Sequence, residues 1–158
     1  MTKRRNMPFA LVVAVVLALG LVASAPALAR SDTAGHGTSS LVGAWRMTTL
    51  EVGTGGNLAP VPYSGQIIFT KSGNVSVQAM NPDPDAADTA YTVNGYEAFY
   101  GQYTVDKKAK TFQVTVQSAA VRTLIGQRLT RVFVVSRDTL VLTPADPAEG
   151  WRVTYERL

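Results

Sequence analysis

From residue 41 to the end of the chain, short runs of alternating apolar and polar residues are separated by turn residues. In the run 111–118, for example, Phe112, Val114 and Val116 fall on one side of an extended chain, and the polar residues between them fall on the other. Runs of this length and spacing are typical of antiparallel barrels and sandwiches. The pattern therefore predicts an all-β domain.

Eight strands are predicted, with hairpin connections between them. Their predicted bounds are residues 43–52, 65–71, 74–80, 100–105, 111–118, 128–135, 139–143 and 151–158. Residues 89–99 are predicted either as a short helix interrupted at Gly95 or as a lid over a barrel mouth, and residues 119–127 as a second region with helical potential. Eight meandering strands can close into an up-and-down barrel whose interior holds one small ligand. The predicted fold is such a barrel with one or two short helices.

The first 29 residues carry the parts of a cleavable export signal. Lys3-Arg4-Arg5 forms a positive start, residues 9–22 form an apolar run, and Ala27-Leu28-Ala29 offers a small-x-small cleavage pattern. The run is shorter than the roughly 20 residues of a spanning helix, and no Cys follows it that could carry a lipid. We expect cleavage after Ala29, a secreted or periplasmic protein, and no stable membrane anchor; a retained N-terminal anchor is the alternative.

Cleavage would change the charge of the protein. The full chain has 15 basic and 11 acidic residues, and the signal holds three of the basic ones, so the mature chain would carry a net charge of +1. A nearly neutral domain has no electrostatic reason to bind nucleic acid or an anionic membrane. Residues 30–40 are predicted as a flexible N-terminus and 41–158 as the barrel domain, which we expect to be a monomer or a weak homodimer.

Several chemistries are excluded by composition. The chain has no Cys, so it has no disulfides, thiolate nucleophile or Cys-ligated metal. Its one His, His36, precedes the predicted barrel, which removes Ser-His-Asp catalysis and His-ligated zinc or haem from that domain. Asp83, Asp85 and Asp88 lack the central Gly and final Glu of a calcium loop. We predict no metal, no cofactor and no catalytic residue, and a binding protein rather than an enzyme.

Several segments carry a family resemblance. Gly43-Ala44-Trp45-Arg46 resembles the opening motif of lipocalins and the wider calycin group, and residues 65–70, 96–103 and 155–157 resemble segments of the bacterial lipocalin-like domain family in the same order. The resemblance spans residues 41–158 and implies a lipocalin-like barrel. Members of the family often carry His on the strand equivalent to residues 112–115. This chain has none there, so no role that depends on imidazole is expected.

Trp45 and Arg157 are predicted to close the barrel floor. An indole can cover the apolar end of a barrel, and a guanidinium can lie across its face. If the last strand is bulged, Arg152 would take the place of Arg157.

An aromatic cluster is the best candidate for a ligand site, and it comprises Tyr91, Tyr96, Phe99, Tyr100 and Tyr103. The candidates to meet a polar end of the ligand are Arg122, Arg128 and Arg131, because guanidinium binds carboxylates bidentately. The predicted ligand-binding residues are Tyr96, Phe99, Tyr100, Tyr103, Arg122 and Arg128. The alternatives are that the rings are ordinary core and the arginines a solvated rim. Glu97 is the one carboxylate placed near the tyrosines to act as a general base, but a surface position is preferred for it.

These observations predict an exported lipocalin-like protein that binds a small apolar or amphipathic molecule in a barrel cavity. Two alternatives remain open. One is a cofactor-free isomerase, cyclase or dehydratase that uses the same cavity. The other is a barrel filled by its own side chains, with a structural or interaction role.

Overall fold

The computed structural model describes residues 40–158, so the predicted export signal lies outside the described residues. Nine strands make up almost all of this region. They are β1 (Gly43–Thr54), β2 (Asn57–Val61), β3 (Ser64–Phe69), β4 (Asn74–Met80), β5 (Tyr96–Asp106), β6 (Thr111–Ala119), β7 (Arg128–Val135), β8 (Thr139–Pro144) and β9 (Trp151–Arg157). Two single 3₁₀ turns, Arg122–Leu124 and Pro147–Glu149, are the helical elements of this part of the chain. None of the helices in residues 40–158 is long and apolar enough to cross a bilayer.

The strands form one closed antiparallel meander. β1 pairs with β3, each later strand pairs with the next, and β9 returns to pair with β1. Trp45 lies opposite Arg157 at one end of the β1–β9 pair, here called the floor, and Val52 lies opposite Trp151 at the other end, here called the mouth. This closure confirms the predicted eight-stranded lipocalin-like barrel.

β2 is a ninth strand, and its residues lie outside the eight strands predicted from the sequence. Among the described residues it pairs with Leu50–Thr54 of β1 alone. Pro60 lies within β2, and proline cannot donate a ladder hydrogen bond, so an edge strand is where a sheet tolerates it. Pro60 and Pro62 interrupt the alternating pattern, so the sequence predicts no strand here, but an edge position still permits one.

β5 begins at Tyr96, four residues earlier than predicted. Asn94 and Gly95 have φ values of 51° and 72°, and Val93 and Tyr96 exchange two backbone hydrogen bonds of 3.0–3.1 Å across them. A two-residue turn with positive φ at both positions is the hairpin geometry that Asn-Gly favours. The helix alternative for residues 89–99 is therefore wrong, and the chain enters β5 directly from a tight turn.

The floor half of the barrel is densely packed. Trp45, Phe69 and Leu140 have almost no exposed surface. The ring of Phe69 meets those of Tyr103 and Phe112 edge to face, with centroids 5.1 and 5.2 Å apart. Edge-to-face contacts of this kind add to the stabilisation from burial itself. This part of the interior has the close packing expected of a protein core.

Candidate functional site

Toward the mouth, the barrel encloses a cavity of about 710 Å³. This volume lies within the range of small-molecule sites, about 300–1,000 Å³. Most of the wall is apolar and comes from inward-facing residues that alternate along the strands. The apolar wall includes Leu50, Ile67, Val75, Val77, Phe99, Phe112, Val114, Leu129, Leu142 and Val153. Residues of the loop between β4 and β5, among them Ala86, Ala90 and Thr92, complete it.

Arg131, on β7, is the one basic residue among residues 40–158 that lines the cavity. Its guanidinium lies 3.3 Å from a carboxylate oxygen of Glu149 and donates to the hydroxyl of Tyr91 at 3.0 Å and to the carbonyl of Thr130 at 3.1 Å. It also lies over the ring of Trp151, with its Cζ 5.0 Å from the ring centroid. Arg131 is thus held by a carboxylate, a hydroxyl and an aromatic face.

The turn before β9 places Glu149 beside Arg131. The side chain of Asp146 accepts a hydrogen bond from the Ala148 backbone at 2.9 Å and so caps the 3₁₀ turn. Gly150 then adopts φ 63°, and a Cβ atom there would overlap the carbonyl oxygen of Gly53. Glycine is required at this position both by the left-handed conformation and by this close approach.

Both carboxylate oxygens of Glu149 accept hydrogen bonds. It accepts hydrogen bonds from the Tyr91 hydroxyl at 2.7 Å and from the Trp151 indole at 3.2 Å, in addition to the Arg131 contact. Burial, followed by the bond to Glu149, raises the pKa of Tyr91 above its usual value. Tyr91 therefore remains protonated at neutral pH and acts as a donor.

Glu97 lines the same cavity from β5. The side chain is half-buried, and no residue of 40–158 makes a hydrogen bond or ion pair with its carboxyl. Since every buried side-chain oxygen or nitrogen of these residues has a partner, the carboxyl oxygens of Glu97 are open to the cavity. Burial raises its pKa from 4.5 to about 7, and the positive charge of Arg131 opposes the shift. On β9, burial and the nearby charge of Glu97 raise the pKa of Tyr155, which also lines the cavity. The cavity thus places the carboxyl of Glu97, which has no partner among residues 40–158, beside the protonated phenol of Tyr155.

Because side chains alternate along β5, some of the predicted ligand-binding residues face the cavity and others face the outside of the barrel. Glu97 and Phe99 face inward and line the cavity, so Tyr96 and Tyr100 face outward, where they are 39% and 51% exposed. Tyr96 instead borders a shallow outer recess beside Gln66 and Gln78. The surface position predicted for Glu97 is wrong, because β5 starts early enough to include this residue and its alternation turns the side chain inward.

The other predicted residues also lie away from the cavity wall. Tyr103 faces inward but sits nearer the floor, where its hydroxyl donates to the Thr70 carbonyl at 3.0 Å. Arg122 and Arg128 are exposed, on the 3₁₀ turn and at the start of β7. Arg128 is three residues from Arg131, so a regular strand places them on opposite faces. Arg131, a candidate that was left out of the predicted site, is the inward one, because it alternates in phase with the apolar Leu129 and Phe133. This alternation is visible in the sequence.

At the floor, the guanidinium of Arg157 stacks on Trp45, with its Cζ 3.9 Å from the ring centroid. Arg157 donates to the backbone carbonyls of Ser40, Val42 and Arg137 at 2.7–3.1 Å. The Trp45 indole donates to the Leu41 carbonyl at 2.8 Å. Arg152, the alternative to Arg157, lies on the outer face.

A closed eight-stranded meander, packed at one end and hollow at the other, defines a lipocalin-type barrel. The family model of the lipocalin-like domain matches residues 42–154. The chain therefore belongs to the lipocalin-like domain family, as the motif resemblance predicted. None of the curated proteins compared with the chain matches it. In residues 40–158, no three His, Asp or Glu side chains converge as metal ligands would.

Proposed function

We propose that this protein is an exported binding protein that holds a small apolar or amphipathic molecule in the barrel cavity. The observation that supports this most strongly is the cavity itself, about 710 Å³ with mostly aliphatic and aromatic walls. Such a volume would accept one small molecule and bury most of its surface.

The cavity also argues against a barrel filled by its own side chains. Protein interiors are normally close-packed, and residual apolar cavities lower stability by about 24 cal/mol per Å³ in large-to-small substitutions. A ligand in this volume would restore the missing contacts of the wall. The hollow half therefore fits a protein that works with its interior occupied.

A titration with the neutral apolar fluorophore N-phenyl-1-naphthylamine tests this function. We expect saturable binding to the mature protein, because the probe would leave water for the apolar wall. Val77→Phe fills part of the cavity and should weaken binding at least tenfold. Val134→Phe makes the same change on a side chain that is 64% exposed, and should leave binding unchanged. A lack of saturable binding by the wild-type protein would contradict the proposal.

Export is part of the same proposal. It rests on the basic start, the apolar run and the Ala27-Leu28-Ala29 pattern of the first 29 residues. We expect the intact mass of the protein, recovered from the periplasm or the medium, to correspond to a chain that begins at Arg30. Recovery of the uncleaved chain from the cytoplasm would contradict it.

Glu97 favours a second candidate function, a cofactor-free isomerase, cyclase or dehydratase in the same cavity. A general acid or base works best with a pKa near the operating pH, and burial raises the pKa of Glu97 to about 7. Tyr155, rather than Tyr96 or Tyr100, is the phenol close to Glu97 in the cavity. Once a substrate is found, Glu97→Gln should abolish turnover and retain fluorophore binding. Retained turnover would contradict catalysis by Glu97.

A further inference from the structure

The ionisable side chains of the cavity are mostly acidic. In the described part of the chain, one basic residue, Arg131, and three carboxyl groups, those of Asp83, Glu97 and Glu149, line it. The ion pair with Glu149 neutralises Arg131. The wall formed by residues 40–158 therefore has an acidic excess, with no second basic side chain to balance Glu97.

Three of the five N–H donors of Arg131 are already in use. They contact Glu149, the Tyr91 hydroxyl and the Thr130 carbonyl. A ligand carboxylate at the remaining N–H groups would lie close to the carboxylate of Glu149 and would also approach the charge of Glu97. Both repulsions oppose the binding of an anion.

Glu97, unlike Arg131, carries a negative charge when ionised and has oxygens free to accept hydrogen bonds from a ligand. Its carboxyl faces the cavity without a hydrogen-bond partner in residues 40–158, so its oxygens are available to a ligand donor. Aromatic side chains share the wall with it. They are Tyr63, Tyr91, Phe99, Phe112, Trp151 and Tyr155. Aromatic faces attract organic cations, and a desolvated carboxylate pairs strongly with an ammonium group.

We propose that the ligand is an amphipathic amine, whose apolar body fills the hollow half of the barrel and whose ammonium group donates to the carboxylate of Glu97. This inference rests on the proposed binding function and names the class of its ligand. It reverses the charge expected from the sequence, where Arg122 and Arg128 were predicted to meet an acidic end. Both arginines are exposed and absent from the cavity wall.

Proton release should accompany amine binding. An ammonium beside Glu97 would favour the ionised carboxylate and lower its pKa from about 7. The groups that face the cavity with Glu97 are Arg131 on β7, Tyr155 on β9, Glu149 on the last turn, and Asp83 and Tyr91 on the β4–β5 loop, with Tyr63 before β3. Burial raises the pKa values of Tyr91 and Tyr155, so neither phenol ionises between pH 6 and 8. Amine affinity should therefore rise over this interval.

Displacement of bound N-phenyl-1-naphthylamine by decylamine, decan-1-ol and decanoic acid tests the inference, because the three share one chain and differ in the head group. At pH 7.5 we expect decylamine to displace the probe at concentrations at least tenfold lower than either of the others. Glu97→Gln should remove this preference and retain probe binding. Glu51→Gln, the same change in a carboxylate that pairs with Arg152 on the outer face, should keep it.

The outcomes separate this inference from the function on which it rests. Probe binding with no preference for decylamine, or with a preference for decanoate, would overturn the amine assignment and leave the binding function standing. A lack of saturable probe binding would overturn both. If Glu97→Gln does not fold, the wild-type protein supplies the test: decylamine affinity that fails to rise between pH 6 and 8 would overturn the assignment.

Discussion

Both ends of the barrel place an arginine against a tryptophan, but the two pairs are held differently. At the floor, Arg157 lies 3.9 Å from the centroid of Trp45 and donates only to backbone carbonyls. At the mouth, Arg131 lies 5.0 Å from the centroid of Trp151 and contacts the carboxylate of Glu149. The floor pair ties the N-terminal end of the domain to β9, whereas the mouth pair lines a cavity.

The difference shows how one alternating pattern produces both a core and a site. Large inward side chains such as Trp45, Phe69 and Leu140 fill the floor half. Toward the mouth, the same inward positions leave a cavity of about 710 Å³. Stability is therefore concentrated at the floor, and the mouth half retains charged groups that a filled core would exclude.

Trp45→Ala should have the largest effect on stability. It removes a fully buried indole, and such truncations lower the free energy of unfolding by about 3–5 kcal/mol. Equilibrium urea denaturation would measure the loss. Trp151→Ala, at the half-buried mouth position, should lower stability less. Equal losses for the two variants would contradict the division into a packed floor and a hollow mouth.

Arg157→Met should have the next largest effect. It keeps an apolar side chain of similar length but removes the stacked guanidinium and its three backbone hydrogen bonds, for a loss of about 2–4 kcal/mol. The same denaturation experiment applies. Arg152→Met, which alters an exposed ion pair with Glu51, should change stability little. A neutral Arg157→Met would show that the floor does not depend on the guanidinium.

Glu97→Gln should change how the stability of the empty protein depends on pH. The folded-state pKa of about 7 lies above the usual 4.5, so the folded protein holds the Glu97 proton more tightly than the unfolded chain does. Its contribution to stability is present below pH 4.5 and is lost as the pH rises through 7, with a total of about 1–3 kcal/mol. Urea midpoints from pH 4.5 to 8 should fall less in the variant. Parallel profiles would contradict burial of Glu97.

Tyr100→Ser and Arg128→Gln should have the smallest effects. Both side chains are exposed and lie outside the cavity wall, so the affinity for N-phenyl-1-naphthylamine should stay within twofold of wild type. Phe99→Ser, on the inward face next to Tyr100, should weaken binding at least fivefold. A larger loss for Tyr100→Ser than for Phe99→Ser would show that the ligand binds on the outer face instead.

Much of the barrel was determined by the sequence alone. The alternation of a strand and the glycine of a tight turn each depend on only a few consecutive residues. Both can therefore be recognised without knowledge of the neighbouring strands. β4 and β7 have the predicted bounds, and β6 alternates as predicted. The order of the lipocalin-like motifs also indicated the family.

Only the tertiary structure decided where the cavity lies and which charges line it. Starting β5 at Tyr96 places Glu97 and Phe99 inside and Tyr96 and Tyr100 outside, and a shift of one residue would exchange the two sets. Arg131 and Glu149 are 18 positions apart in the sequence, and they meet because the pairing of β7 with β8 places Arg131 opposite Pro144, just before the turn that carries Glu149. The empty volume is the space left by side chains from all eight barrel strands and the adjoining loops, so no single segment of the sequence contains it.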